Sequence, residues 1–136
     1  MPDTEQQLNL IIDEWMNELA DYIFSKSQEN IIKNGSIDTG FMLQQANIQR
    51  ELLEKKIVYS APYAVFIEFG TSPHPMYSKW LEKWVERKLS KTEKEIASTA
   101  FAIAKKIEKE GMKEKPFLRP AIDEAITHFK SQDSYD

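Results

Sequence analysis

The apolar pattern of this sequence predicts an α+β fold. It has a long N-terminal helix and a C-terminal helix packed on a small antiparallel β-sheet, with an inserted two-helix segment. Three observations lead there: helical apolar spacing over residues 8–31, two short runs with strand character over 46–60, and a further pair of amphipathic stretches between 77 and 107. At 136 residues the chain can bury one core and not two, so residues 1–136 are expected to form a single domain, with 71–115 as an insertion within it.

Thr4 and Gln7 have the spacing of a capping box. Beyond them Leu8, Ile11, Ile12, Trp15, Met16, Leu19, Tyr22, Ile23 and Ile31 mark one face of a helix, while Asp13, Glu14, Asn17, Glu18 and Asp21 mark its polar face. Asn34-Gly35 closes it. Such a helix, of about 28 residues, is roughly 42 Å long at 1.5 Å per residue. That exceeds what so small a domain can cover, so part of it is expected to serve a partner or a neighbouring copy.

Asp38-Thr39-Gly40 has the residues of an aspartic-protease turn. That chemistry needs two carboxylates sharing a proton, from a second such turn or a symmetric dimer. The chain holds no second copy, and Lys33-Asn34-Gly35-Ser36 stands where an apolar strand should lead in. The expectation is a side-chain cap on a short turn of helix. Residues 46–53 and 56–60 then predict a hairpin joined near Glu54-Lys55, with Ile48, Leu52, Ile57 and Tyr59 facing the core. No Asn-Gly or Asp-Gly turn fixes its register.

The stretch around which the chain is organised is Tyr63-Ala64-Val65-Phe66-Ile67-Glu68-Phe69-Gly70-Thr71. Tyr63, Phe66, Ile67 and Gly70 favour a short helix of about two turns, although Val65, Ile67 and Phe69 also alternate as in a strand. Either way Glu68 lies among apolar side chains. A buried carboxylate without partners costs several kcal/mol, so Glu68 must meet a cation or hydrogen-bond donors. Gly70 permits an exit with positive φ.

Tyr77, Trp80, Leu81, Trp84, Val85 and Leu89 predict the first inserted helix. Thr92 and Glu95 cap a second, carrying Ile96, Ala97, Ala100, Phe101, Ala104 and Ile107 and ending at Gly111. Lys115-Pro116-Phe117-Leu118-Arg119-Pro120-Ala121 follows. Its prolines are expected to hold Phe117-Leu118-Arg119 extended, with Pro120 opening a last helix whose apolar side is Ile122, Ala125, Ile126 and Phe129.

Composition narrows the function. The chain has no cysteine, which removes disulfides and thiolate metal sites, and His74 and His128 have no metal-ligand spacing. No apolar run reaches the roughly 18–20 residues that span a bilayer, and the start lacks a secretory pattern, so no membrane partner is expected. A net charge of −4 argues against general nucleic-acid binding. Charge is uneven: residues 1–30 carry Asp3, Glu5, Asp13, Glu14, Glu18, Asp21 and Glu29 against Lys26 alone, whereas Lys79 to Lys115 leans basic. Such polarity allows head-to-tail attraction between copies.

Three pieces stand in order: Ile37-Asp38-Thr39-Gly40, the Tyr63-to-Thr71 stretch, and Pro116-Phe117-Leu118-Arg119-Pro120-Ala121. Together they resemble the tailed-phage head–tail joining (neck, tail-completion) family typified by gene product ten of phage HK-ninety-seven, over roughly residues 5–130. The chain departs from compact members in its two-helix segment between Thr71 and Pro116, and in Phe41-Met42-Leu43, where more polar residues are often seen. The resemblance implies a structural virion protein with no catalysis and no cofactor. It implies assembly in the host cytoplasm into a homo-oligomeric ring, placed in the virion neck or tail. The implied partners are further copies, the head connector, and tail tube or tail terminator proteins, without specific nucleic-acid binding.

A ring needs two different patches that meet between copies, and the acidic face of the first helix and the basic two-helix segment are the candidates. Glu68 is expected to pair with Arg119. The reading from another class is a small helical nucleic-acid-binding module using Trp80, Trp84, Lys88, Lys105 and Lys106.

Overall fold

A computed structural model describes residues 3–35, 39–61, 63–89 and 92–132. In chain order these form α1 (Thr4–Asn34), α2 (Thr39–Gln44), β1 (Ala46–Glu51), β2 (Glu54–Tyr59), α3 (Ala64–Phe69), α4 (Lys79–Leu89), α5 (Glu93–Glu110) and α6 (Leu118–Gln132). The fold is α+β as expected, rich in helix, with β1 and β2 paired antiparallel as a two-stranded sheet.

α1 is 31 residues long. Its capping box lies one residue earlier than the sequence suggested. The Asp3 carboxylate accepts from the Gln6 N–H at 2.8 Å, and Gln6 Oε1 accepts from the Asp3 N–H at 3.0 Å. Aspartate is simply as good a cap as threonine and stands in the better place. Gly35 closes the helix in the left-handed conformation at φ 60°.

The hairpin turn lies two residues earlier than expected. The register, which no turn signal fixed, sets Ile48 opposite Ile57; the turn falls at Leu52-Leu53, and Leu52 is exposed instead of buried. Leu53 holds φ 61°, a conformation branched side chains resist, and α1 supplies the restraint. Asp13 Oδ1 accepts from the Leu53 N–H at 2.8 Å and from Lys55 Nζ at 2.7 Å. Arg50 then reaches Asn17 at 2.7 Å and also bonds Asp21. At the other end of the hairpin the Tyr59 hydroxyl meets Ser27 at 2.5 Å and accepts from Gln28 at 2.9 Å. Asp13, Asn17 and Asp21 belong to the polar face expected to meet a neighbouring copy, but they are used within the chain. Their four-residue spacing instead forms a line that grips the hairpin.

α6 lies antiparallel along α1: Trp15 and Tyr22 meet Phe129, and Asn30 donates to the Phe117 carbonyl at 3.1 Å. The stripe it buries is Phe117, Ala121 and Ala125, whereas Ile122 and Ile126 are turned outward, contrary to expectation. The small alanines let α6 approach α1 closely, and the bulkier isoleucines are left on the flank.

Two cores result. Ile31, Met42, Ala61, Ala64, Ile67 and Phe117 pack the body, and Leu81, Val85, Ile96, Ala100, Ala104 and Ile107 pack the α4–α5 pair. Thr92 caps α5, accepting from the Glu95 N–H. Phe101 and Ala97, expected inside, lie outside.

Candidate functional site

The motif residues converge where α3 meets the start of α6. Phe117, just before α6, has no oxygen to cap the helix, and the donor groups of that first turn need an acceptor from elsewhere. Glu68 supplies it. Its Oε2 accepts from the N–H groups of Phe117 at 2.7 Å and Leu118 at 3.0 Å, and its Oε1 accepts from the N–H of Arg119 at 2.8 Å. Pro120 follows without an N–H to satisfy. Arg119 Nε also donates to Oε1 at 3.2 Å, so the expected pair forms, and Arg119 Nη2 donates to the Glu68 carbonyl at 2.5 Å. The guanidinium lies 4.6 Å from the Phe69 ring centre, a cation–π contact.

Leu118 and Arg119 are therefore helical and not extended as expected. A cap from outside the helix lets it begin two residues before Pro120, where a missing N–H is harmless. Glu68 is 5% exposed. Burial alone would push its carboxyl up, but the three backbone donors and Arg119 outweigh it and hold the group below its ordinary value.

The neighbouring backbone is also fixed. Lys115 N–H donates to the Ile67 carbonyl at 2.8 Å, and Asn34 Nδ2 donates to the Pro116 carbonyl at 2.9 Å. Gly70 and Gly111 mark the crossing through which the α4–α5 segment leaves and returns. Thr71 and Met112 exchange backbone hydrogen bonds at 2.8 and 3.0 Å, and Thr71 Oγ1 also accepts from the Met112 N–H at 3.1 Å. A Cβ on Gly70 would lie 2.8 Å from backbone atoms of Met112 and Glu114, and one on Gly111 only 2.3 Å from the Thr71 carbonyl oxygen. Close approach, together with φ of 69° and 77°, requires glycine at both.

Of the first piece, Asp38 lies outside the described residues. Thr39 opens α2, and Gly40 is exposed with open space around it. What α2 contributes is apolar: Met42 is fully buried beside Ile67 and Phe117, and the Phe41 and Tyr63 rings are 6.3 Å apart. That is a physical reason for Phe41-Met42-Leu43 in place of polar residues. Ala64 is buried and Phe66 lies at the surface.

Between α3 and α4 an apolar groove of about 520 Å³ opens, with Phe41, Tyr63 and Phe66 on one wall and Leu81 and Trp84 on the other. Burial pushes the Tyr63 phenol up to about 12. Lys79, Lys83 and Arg87, each four residues from the next, also line it. The indole Nε1 of Trp84 is buried with no hydrogen-bond partner among the described residues. Of the other residues considered for nucleic acid, Lys105 and Lys106 are exposed on α5, and Lys105 pairs with Glu108 at 3.4 Å. The side chains of Trp80 and Lys88 lie outside those described.

At the far end of α1, Leu8, Leu10, Ile11, Ile12 and Trp15 are exposed. Periodicity gave the stripe, and helix length gave the expectation that part of α1 extends past the domain; among these five side chains Trp15 meets the Phe129 ring edge-on at 6.1 Å. Among the described residues no group of three His, Cys, Asp or Glu side chains is placed to hold a metal ion. No described helix is long and apolar enough to cross a membrane. Comparison with protein-family models, with curated proteins and with solved structures returned no match.

Proposed function

We propose that this chain is a structural protein of tailed-phage or prophage virion morphogenesis, joining the head connector to the tail or completing the tail as a homo-oligomeric ring. The observation that carries the reading is the Glu68 junction. It explains physically why a Tyr-Ala-x-Phe-Ile-Glu-Phe-Gly-Thr stretch and a Pro-Phe-Leu-Arg-Pro-Ala stretch occur in one chain, since the carboxylate of the first caps the helix opened by the second. Its partners on this reading are further copies, the connector, and tube or terminator proteins. Its motif residues hold shape and carry no bond-making step.

Native mass spectrometry of the purified chain, alone and mixed with the connector and tube proteins of the same phage or prophage, tests this. Ring-sized species containing this chain are expected in the mixtures. A strict monomer in every mixture removes the role.

A further inference from the structure

Two surfaces are left over once the fold is assembled. Leu8, Ile11, Ile12 and Trp15 form an i, i+3, i+4, i+7 stripe, with exposures of 54%, 64%, 40% and 49%. Such a row of large apolar side chains, in which Trp15 also touches the Phe129 ring, is the kind of helix edge that enters a groove. Glu14 and Glu18, about one turn apart, are exposed on the same stretch of helix. The groove between α3 and α4 has the opposite character: apolar walls, with Lys79 and Lys83 about one turn apart along it.

Both surfaces belong to one chain, yet they cannot meet within it. α1 is continuous from Thr4 to Asn34, and Ile31 packs in the same cluster as Ile67, which lines the groove. Ile11 precedes Ile31 by twenty residues, a distance of about 30 Å along a helix rising 1.5 Å per residue.

We infer that the N-terminal half of α1 from one copy seats in the α3–α4 groove of a second copy. Leu8, Ile11 and Trp15 enter between Phe66 and Trp84, and Glu14 and Glu18 face Lys79 and Lys83. The inference rests on the assembly role proposed above and names the two surfaces that such an assembly uses. Because the patches differ and lie far apart, the contact is heterologous. Each added copy leaves one tip and one groove open, so addition continues until rotation closes a ring or extends a filament. The apolar stripe carries the affinity, and the charges set orientation and encounter rate.

The chain contains no cysteine, so an introduced pair reports the contact alone. A protein carrying both Ile11→Cys and Lys83→Cys is expected to give, on mild oxidation, a ladder of dimers, trimers and longer chains. Each single variant, whose thiol faces no other thiol in this contact, is expected to stay uncross-linked. Ile11→Glu, and separately the double variant Lys79→Glu/Lys83→Glu, are expected to associate at least tenfold more weakly than the unaltered chain. Mixed, these two form a heterodimer and grow no further, because only one intact tip and one intact groove meet. Glu18→Lys is expected to restore part of the association lost in Lys83→Glu.

A ladder that stops at the dimer, variants that associate like the parent, or a mixture that gives no heterodimer overturns the inference. So does a parent chain that stays monomeric at every concentration, including one whose groove is filled by a fatty acid or a foreign apolar peptide. The two readings separate cleanly. A ladder without binding to connector or tube proteins leaves the interface and removes the neck role. Rings with those proteins that Ile11→Glu does not disturb leave the role and remove the interface.

Discussion

The two ends of α1 are built on the same apolar spacing and come to opposite ends. Near its C-terminus Ser27 and Ile31 are fully buried, Asn30 and Asn34 hold the Pro116-Phe117 carbonyls, and the adjacent Glu68 carboxylate accepts from three backbone N–H groups. Near its N-terminus Leu8 and Ile11 are exposed, and Trp15 is half-exposed beside Phe129. A helical stripe tells which side chains share a face. What covers that face depends on chain far away in sequence, and here α6 brings Phe129 against Trp15.

The sharpest way to break the first end is Glu68→Ala. It leaves three backbone donors and a guanidinium without their acceptor, and is expected to cost roughly 3–5 kcal/mol in denaturant unfolding. Acid does the same reversibly. Glu68 binds protons less readily in the folded than in the unfolded chain, so its contribution is complete above the ordinary value of 4.5 and is lost as pH falls through the lowered one. Asp13, held down by the Lys55 ammonium and the Leu53 N–H, acts with the same sign. Unfolding midpoints measured across that acid range should fall steadily, and less steeply in Glu68→Gln. A flat profile would show that the junction contributes little.

Ile31→Ala empties a fully buried site beside Met42 and Phe117 and is expected to cost roughly 2–5 kcal/mol, with the exact loss set by how far the body core collapses. Gly111→Ala should cost less, roughly 1–3 kcal/mol from backbone conformation alone, because φ 77° with ψ −170° is a glycine region. The Cβ contact with the Thr71 carbonyl adds to it. The useful readout for Gly111→Ala is hydrogen exchange of the α4–α5 amides, which should rise more than those of α1. Equal change in both would mean that the crossing is not where the insertion is fastened.

Much of this was legible in the sequence. The helix ends at Gly35 and Gly111 and the α4 and α5 elements follow from local signals that agree with the tertiary structure, and the expected Glu68–Arg119 contact, across 51 residues, also forms. The misses share a cause. The hairpin turn at Leu52-Leu53 breaks local turn preference because Asp13, forty residues earlier, bonds its N–H. The start of α6 escaped because its cap lies on α3, and no oxygen-bearing residue immediately precedes Leu118. The groove is shaped by α2, α3 and α4 together, so no single window of sequence could show it.

The smallest expected effect isolates the other end of the comparison. Ile11 is 64% exposed, so Ile11→Ala removes almost no contact within the chain. Alanine also has the better helix propensity, and unfolding free energy should stay within about 0.5 kcal/mol of the parent. The same change at Ile31, on the same helix, should be several times larger. Measured as dilute monomers in identical denaturant titrations, the pair asks one question of one helix: whether the apolar side chain at Ile11 is packed within this chain. If Ile11→Ala is as damaging as Ile31→Ala, then Ile11 is packed within the monomer, and the contrast between the two ends of α1 disappears.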